Sequence, residues 1–161
     1  MKNTPPGSLN AATAKLLNTV TVGLVPGGRR VLTEPTGMHM ALHVERHNDV
    51  IPGSIFSVAH DFASKIGAGY CDVLFDPQLK LLRTRAGDWI PLSIVTPFIH
   101  LATADADGVL RLLKPLEHDT LVQRVEVWMR NADEAGLISR QPVSEGQRLY
   151  TMVHSPADQL T

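Results

Sequence analysis

Only one cysteine, Cys71, occurs in the 161 residues. A single thiol excludes an intrachain disulfide framework and a multi-thiolate zinc site. It suits a reducing compartment, so a cytoplasmic location is expected. Aromatic residues are scarce at 5%, which leaves few of the stacking platforms that hold single-stranded nucleic acid. Neither sign of charge dominates: 15 Lys and Arg against 16 Asp and Glu leave a formal charge of −1. No global field therefore draws in DNA, RNA or anionic lipid. Long apolar runs are missing too. The most hydrophobic stretch, Trp89 to Ala104, is shorter than a bilayer span and is broken by Pro91, Pro97 and His100, so no transmembrane helix is expected there. The weakly apolar run Leu16–Val25 contains Asn18 and threonines and is followed by Pro26-Gly27-Gly28-Arg29-Arg30, unlike a signal-peptide cleavage site.

What is present is ordinary for a globular chain, with 43% hydrophobic and 19% charged residues. A chain of this length buries about 69% of its unfolded surface, enough for one core. The expected organisation is a flexible N-terminus over 1–7, one domain over 8–138, and a polar, partly disordered extension over 139–161.

Hydrophobic spacing supplies the elements. Ser8 is placed to cap a short helix running to Asn18, with Leu9, Ala12, Leu16 and Leu17 on one face. Thr19–Val25 and Arg30–Thr33 flank Pro26-Gly27-Gly28 and read as a hairpin. Met38 to Arg46 alternates: Met38, Met40, Leu42 and Val44 fall on one side, His39, Ala41, His43 and Glu45 on the other, which predicts a half-buried strand. Ile55, Val58, Ala59, Phe62 and Ile66 form a helical stripe, predicting a helix from Ser54 to Gly67. Cys71–Phe75 and Leu79–Thr84 read as strands joined by an Asp76-Pro77-Gln78 turn, followed by strands at Trp89–Val95, Phe98–Thr103 and Val109–Leu113. Pro91 predicts an edge position or a bulge. A second helix is predicted from Asp119 to Ala135 on Leu121, Val125, Trp128, Met129 and Ala132, with Gly136 ending it, and one further strand at Arg148–Val153. Together these give a single α+β domain: a mostly antiparallel sheet with two or three helices packed on one face.

Among chemistry-bearing residues the histidines stand out. His43 and Glu45 are two apart on one strand face, close enough to give two metal ligands, with His60 as the third candidate and His100 or Asp72 as further ones. His39, His43 and His47 are spaced by four, roughly 13 Å on a strand, too far apart to share one ion. His43-Val44-Glu45 is half of a zinc-deaminase signature, but the downstream Cys pair is missing. His60-Asp61 has the form of a phosphohydrolase dyad without the further helix-borne ligands. Cys71 reads as a small buried hydrophobe. The chain has no Gly-x-Ser-x-Gly elbow and no phosphate-cradling glycine loop, and Asp105-Ala106-Asp107-Gly108 lacks the glutamate of a calcium loop. No catalytic residue and no cofactor is assigned. Arg29-Arg30 and the Lys80, Arg83, Arg85 group are small basic clusters, which gives nucleic-acid binding little support.

Val58-Ala59-His60, Asp72-Val73-Leu74-Phe75-Asp76-Pro77 and the closing Trp128-Met129-Arg130-Asn131 with Gly136 resemble the motifs of an uncharacterised domain family carried on plasmids, phages and integrated elements. The likeness covers about residues 38–138. It departs at Tyr70-Cys71, where that family favours Asn-Gly, at Gln78 in place of Glu, and in a longer stretch between His60 and Asp72. The resemblance implies a mobile-element accessory protein and brings no known activity.

Three functions follow as expectations. The first is a small accessory or binding protein acting through a protein partner or self-association, with no membrane contact. The second is a metal-dependent hydrolase using His43, Glu45 and His60. The third is a weak nucleic-acid-binding protein.

Overall fold

The computed structural model describes residues 7–61 and 75–139. Helix α1 spans Ala11–Thr21. It is followed by β1 (Arg29–Leu32), β2 (Leu42–Arg46), β3 (Gly53–Asp61), β4 (Phe75–Thr84), β5 (Trp89–Val95), β6 (His100–Ala102), β7 (Ala104–Asp105), β8 (Arg111–Leu112) and α2 (Pro115–Glu134). Strands β1 to β6 form one antiparallel sheet in sequence order, and β7 with β8 make a separate two-stranded ribbon. This is the expected α+β architecture, with two helices among the described residues.

Directly opposed residues of an antiparallel pair share a sheet face, so the register sorts every side chain. Leu42, Val44, Phe56, Val58, Leu79 and Leu81 fall on one face. There they join Leu17 and Val20 of α1 and Leu121, Val125 and Met129 of α2 in the main core. The other face is covered in part by the ribbon: Ile55, Leu82 and Leu92 meet Ala104 and Ala106 in a second, smaller cluster.

Both helices are anchored by local chemistry. Asn10 caps α1 by accepting the Thr13 N–H at 2.8 Å, two residues beyond the expected Ser8. Helix α2 begins a turn earlier than predicted, because Pro115 at its first position needs no N–H partner. It ends in a Schellman closure: Leu137 N–H donates to Ala132 O and Gly136 N–H to Asp133 O, with Gly136 at φ +88°.

Several expectations are corrected. The predicted Ser54–Gly67 helix is strand β3 as far as Asp61. Its apolar residues at helical spacing are those of a central strand buried on both faces, Phe56 and Val58 inward to the helices and Ile55 toward the ribbon. Short apolar runs are ambiguous between the two periods, and neighbouring strands settle which one forms. The predicted Asp76-Pro77-Gln78 turn lies within β4, opposite a register irregularity between Ala59 and Asp61; a break in the ladder is where a residue without an N–H is tolerated. Thr19–Val25 is the end of α1 and a loop rather than a hairpin arm, and β1 pairs with β2 instead. Only Leu42–Arg46 of the Met38–Arg46 alternation is strand. Pro91 sits at a bulge in the β4–β5 pairing, in an interior strand. Phe62–Gly67, Cys71–Leu74, Arg148–Val153 and the 1–6 and 140–161 ends lie outside the described residues.

Residues 33–41 owe their shape to Glu34. Its carboxylate accepts from the Thr36 hydroxyl, from Thr36 N–H at 2.8 Å and from His39 N–H at 3.2 Å. Bonding from the Thr36 hydroxyl, opposed by burial and reinforced by the backbone N–H groups, lowers its pKa to about 2.

Two predictions follow. Trp89 is wholly buried, its ring centroid is 5.1 Å from that of Phe56, and its indole N–H donates to Asn18 Oδ1 at 2.9 Å. Trp89→Phe, which removes that bond and leaves a void, should lower unfolding stability by about 2–4 kcal/mol in urea denaturation. The Glu34 carboxylate is more acidic folded than unfolded, so its contribution is complete above the unfolded pKa and disappears as pH falls toward about 2. Glu34→Gln should flatten the acid limb of the stability profile between those limits. An unchanged limb would show that Glu34 does not carry it.

Candidate functional site

The register separates the predicted metal ligands. His43 opposes Ala59 and Glu45 opposes Ser57, whereas His60 opposes Leu42. His43 and Glu45 therefore lie on the ribbon-side face and His60 on the helix-covered one. There His60 meets Trp128 edge-on, with centroids 4.9 Å apart, and its Nδ1 is 3.3 Å from Ala41 O. Burial, with smaller effects from His39 and His43, lowers its pKa and favours the neutral ring. His100 shares the face of His43, but Ala59, Gln78 and Val95 intervene in the same row. Four strand spacings put the two roughly 19 Å apart. Asp72 lies outside the described residues. Among the described residues no group of three His, Cys, Asp or Glu is arranged to hold a metal ion.

The other histidines have local duties. His118 is fully buried; its Nε2–H donates to Gly7 O at 2.9 Å, which leaves Nδ1 to accept from the Thr103 hydroxyl at 2.8 Å. His47 Nε2 lies 2.5 Å from Ser57 Oγ.

What the sheet does bring together is a polar row across the ribbon-side face. Arg29, Glu45, Ser57, Lys80, Ser93 and Ala102 are successive cross-strand partners from β1 to β6. At one end Arg29 Nη2 and Glu45 Oε2 form an exposed ion pair at 3.4 Å, worth little in stability. The middle of the row floors a cleft of about 610 Å³, into which Ser57, Gln78, Lys80, Ser93 and His100 project. Ile55 and Leu92 give it an apolar floor, and Ala104 to Asp107 with Leu113 wall it. Asp105 is neutralised by Arg111 at 3.1 Å; its pKa is lowered first by the Asp107 N–H and then by the Arg111 hydrogen bond.

Chemically, the cleft offers hydroxyl, ammonium and amide groups beside apolar surface. The Ser57–His47 contact has the first half of a nucleophile–base pair, but no carboxylate orients the far nitrogen of His47 among the described residues. Ser57 was hidden from sequence reasoning by the helical reading of its segment. Lys80 and Ser93 carry no motif at all, and only strand register aligns them with Ser57.

Beside this cleft β6 is the last strand of the sheet among the described residues. Phe98 and Ile99 precede it, 94% and 54% exposed, and Leu113 and Leu116 follow the ribbon, 50% and 81% exposed. Leu113 N–H donates to Thr103 O immediately after β6, which places Leu113 at the C-terminal end of that strand, whereas Phe98 and Ile99 lie before its N-terminal end.

The site belongs to an α+β domain with one helix-covered face and one ribbon-bordered face. Comparison with protein-family models, with curated proteins and with solved structures found no match. No helix of the described residues is long and apolar enough to cross a membrane.

The split between His43 and His60 has a direct consequence. Zinc added to untagged protein should be lost on dialysis, because His43 and Glu45 alone supply only two ligands. Elemental analysis of wild type, His43→Ala and His60→Ala should agree. Near-stoichiometric zinc abolished by both substitutions would contradict this geometry.

Proposed function

We propose that the chain is a small binding module, without catalytic activity of its own, that engages a protein partner along the β6 margin. The observation that carries this reading is the exposed apolar group bracketing that edge strand: Phe98 and Ile99 on one side, Leu113 and Leu116 on the other. Exposed large apolar side chains at both ends of one strand favour protein contact, and a sheet edge offers unpaired backbone groups to the same partner. Because β6 is three residues long, its backbone contributes few hydrogen bonds, and Phe98 supplies most of the buried area, as interface aromatics commonly do.

The cleft beside β6 takes the partner's polar side chains. Ser57 and Ser93 can donate or accept, and Lys80 has no ion pair or hydrogen bond among the described residues. A second copy of the chain is one such partner. The single cysteine supports a cytoplasmic setting, and the motif likeness at Asp72–Pro77 and Trp128–Asn131 supports a mobile-element accessory role.

Light scattering across a concentration series tests self-association, and comparative capture from the native host tests other partners. Phe98→Asp, at a fully exposed position, should leave the far-UV spectrum unchanged and reduce association about tenfold or more. Wild type and Phe98→Asp that are both monomeric and recover the same proteins in equal amounts would remove this reading.

A further inference from the structure

At the far end of the helix-covered face, beyond the last turn of α1, three neighbouring strands present Arg46, Ser54 and Arg83 side by side. Ser54 is the direct cross-strand partner of Arg83, and Arg46 Nη2 lies 3.4 Å from Ser54 Oγ. The three open on a cavity of about 440 Å³ with Asn18 on its α1 wall. Among the described residues the two guanidinium groups are the only formal charges that line it.

The donors are not equivalent. Arg46 is immobilised: Nη1 donates to Leu24 O at 2.7 Å, Nη2 pairs with Asp49 at 3.1 Å, and the guanidinium carbon sits 5.9 Å from the Phe56 ring centroid. Its Nε is buried and has no hydrogen-bond partner among the described residues. Arg83 is exposed and makes no ion pair or hydrogen bond among them. Asn18 spends its oxygen on the Trp89 indole, which leaves its amide hydrogens to donate. The carbonyl end of α1 would ordinarily repel an anion. Here the Val20 and Val22 carbonyls accept from Arg30 and that of Leu24 from Arg46, so cations already offset it.

We propose that this cavity binds a phosphoryl group, carried by a small phosphate monoester. Guanidinium groups on β2 and β4, with a hydroxyl on β3 between them and an amide on the opposite wall, supply the multiple donors that a phosphate's oxygens accept. The volume lies within the range of small-molecule sites and leaves room for an organic group beside the anion. Arg46 orients the phosphoryl group from its fixed position, and Arg83 closes on it from solvent. The site is separate from the β6 margin and does not depend on the partner reading.

Isothermal titration calorimetry at low salt, with inorganic phosphate, phenyl phosphate and acetate as probes, tests the assignment. Phenyl phosphate should bind more tightly than inorganic phosphate, and acetate the least. Arg83→Gln should weaken both phosphates about tenfold or more while leaving the far-UV spectrum unchanged, and Arg83→Lys should recover part of the loss. Phe98→Asp should leave phosphate affinity as in wild type. Absence of heat with both phosphates, acetate binding as tightly as phosphate, or an unaltered Arg83→Gln would overturn the proposal. Equal affinity for the two phosphates would overturn the monoester and assign the free anion.

Discussion

Trp89 is the joint on which the rest of the molecule depends. Its ring is buried completely against Phe56 in the neighbouring part of the sheet, and its indole N–H is satisfied by Asn18 on α1. Its backbone carbonyl accepts from Leu9 N–H at 2.8 Å, which ties the segment leading into α1 to the same strand. One residue therefore fixes α1 against the sheet through packing, a side-chain bond and a backbone bond together. A buried indole N–H without a partner is costly, so the helix can dock only where Asn18 reaches it.

That constraint makes the two sheet faces different. With α1 and α2 on one side, the apolar residues of β2 to β5 that point there find a continuous core. Among the described residues the opposite face receives only the short β7–β8 ribbon, and its second cluster is correspondingly small. Polar residues collect where no helix of the described residues covers the strands. Ser57, Lys80 and Ser93 line up across the cleft, while Arg46 and Arg83 lie at the end of the helix-covered face, past the reach of α1. The candidate surfaces are thus margins of the packing among the described residues: the last strand, the floor beside the ribbon and the helix terminus.

The candidate site was only partly legible. His43 and Glu45 do share a face, as their two-residue spacing requires in any strand. Whether His60 joins them depends on which residue of β2 it opposes, and Leu42 in that position sends it to the other side. A one-residue difference in register reverses the answer, and no local pattern encodes it. The cleft row suffers the same way, because Ser57, Lys80 and Ser93 are far apart in sequence and unremarkable singly. In the sequence Arg83 reads as part of a small basic cluster and Arg46 as the end of a strand alternation; the ladder sets them on either side of Ser54.

The sequence by itself determined the α+β class, the second helix with its Gly136 stop, the Trp89–Val95 strand, and, with one cysteine in the 161 residues, the exclusion of a disulfide within them. These rest on local periodicity, on capping and on counts, which need no knowledge of neighbours. Tertiary structure alone decided that Ser54 to Asp61 is a strand, that Pro77 lies inside one, and which side chains meet across strands. A run such as Ile55-Phe56-Ser57-Val58-Ala59 is apolar enough for either a buried helix or a doubly covered strand. Only the hydrogen-bonding edges of β2 and β4, brought alongside by the rest of the chain, make the extended form the one that leaves no buried backbone group unpaired.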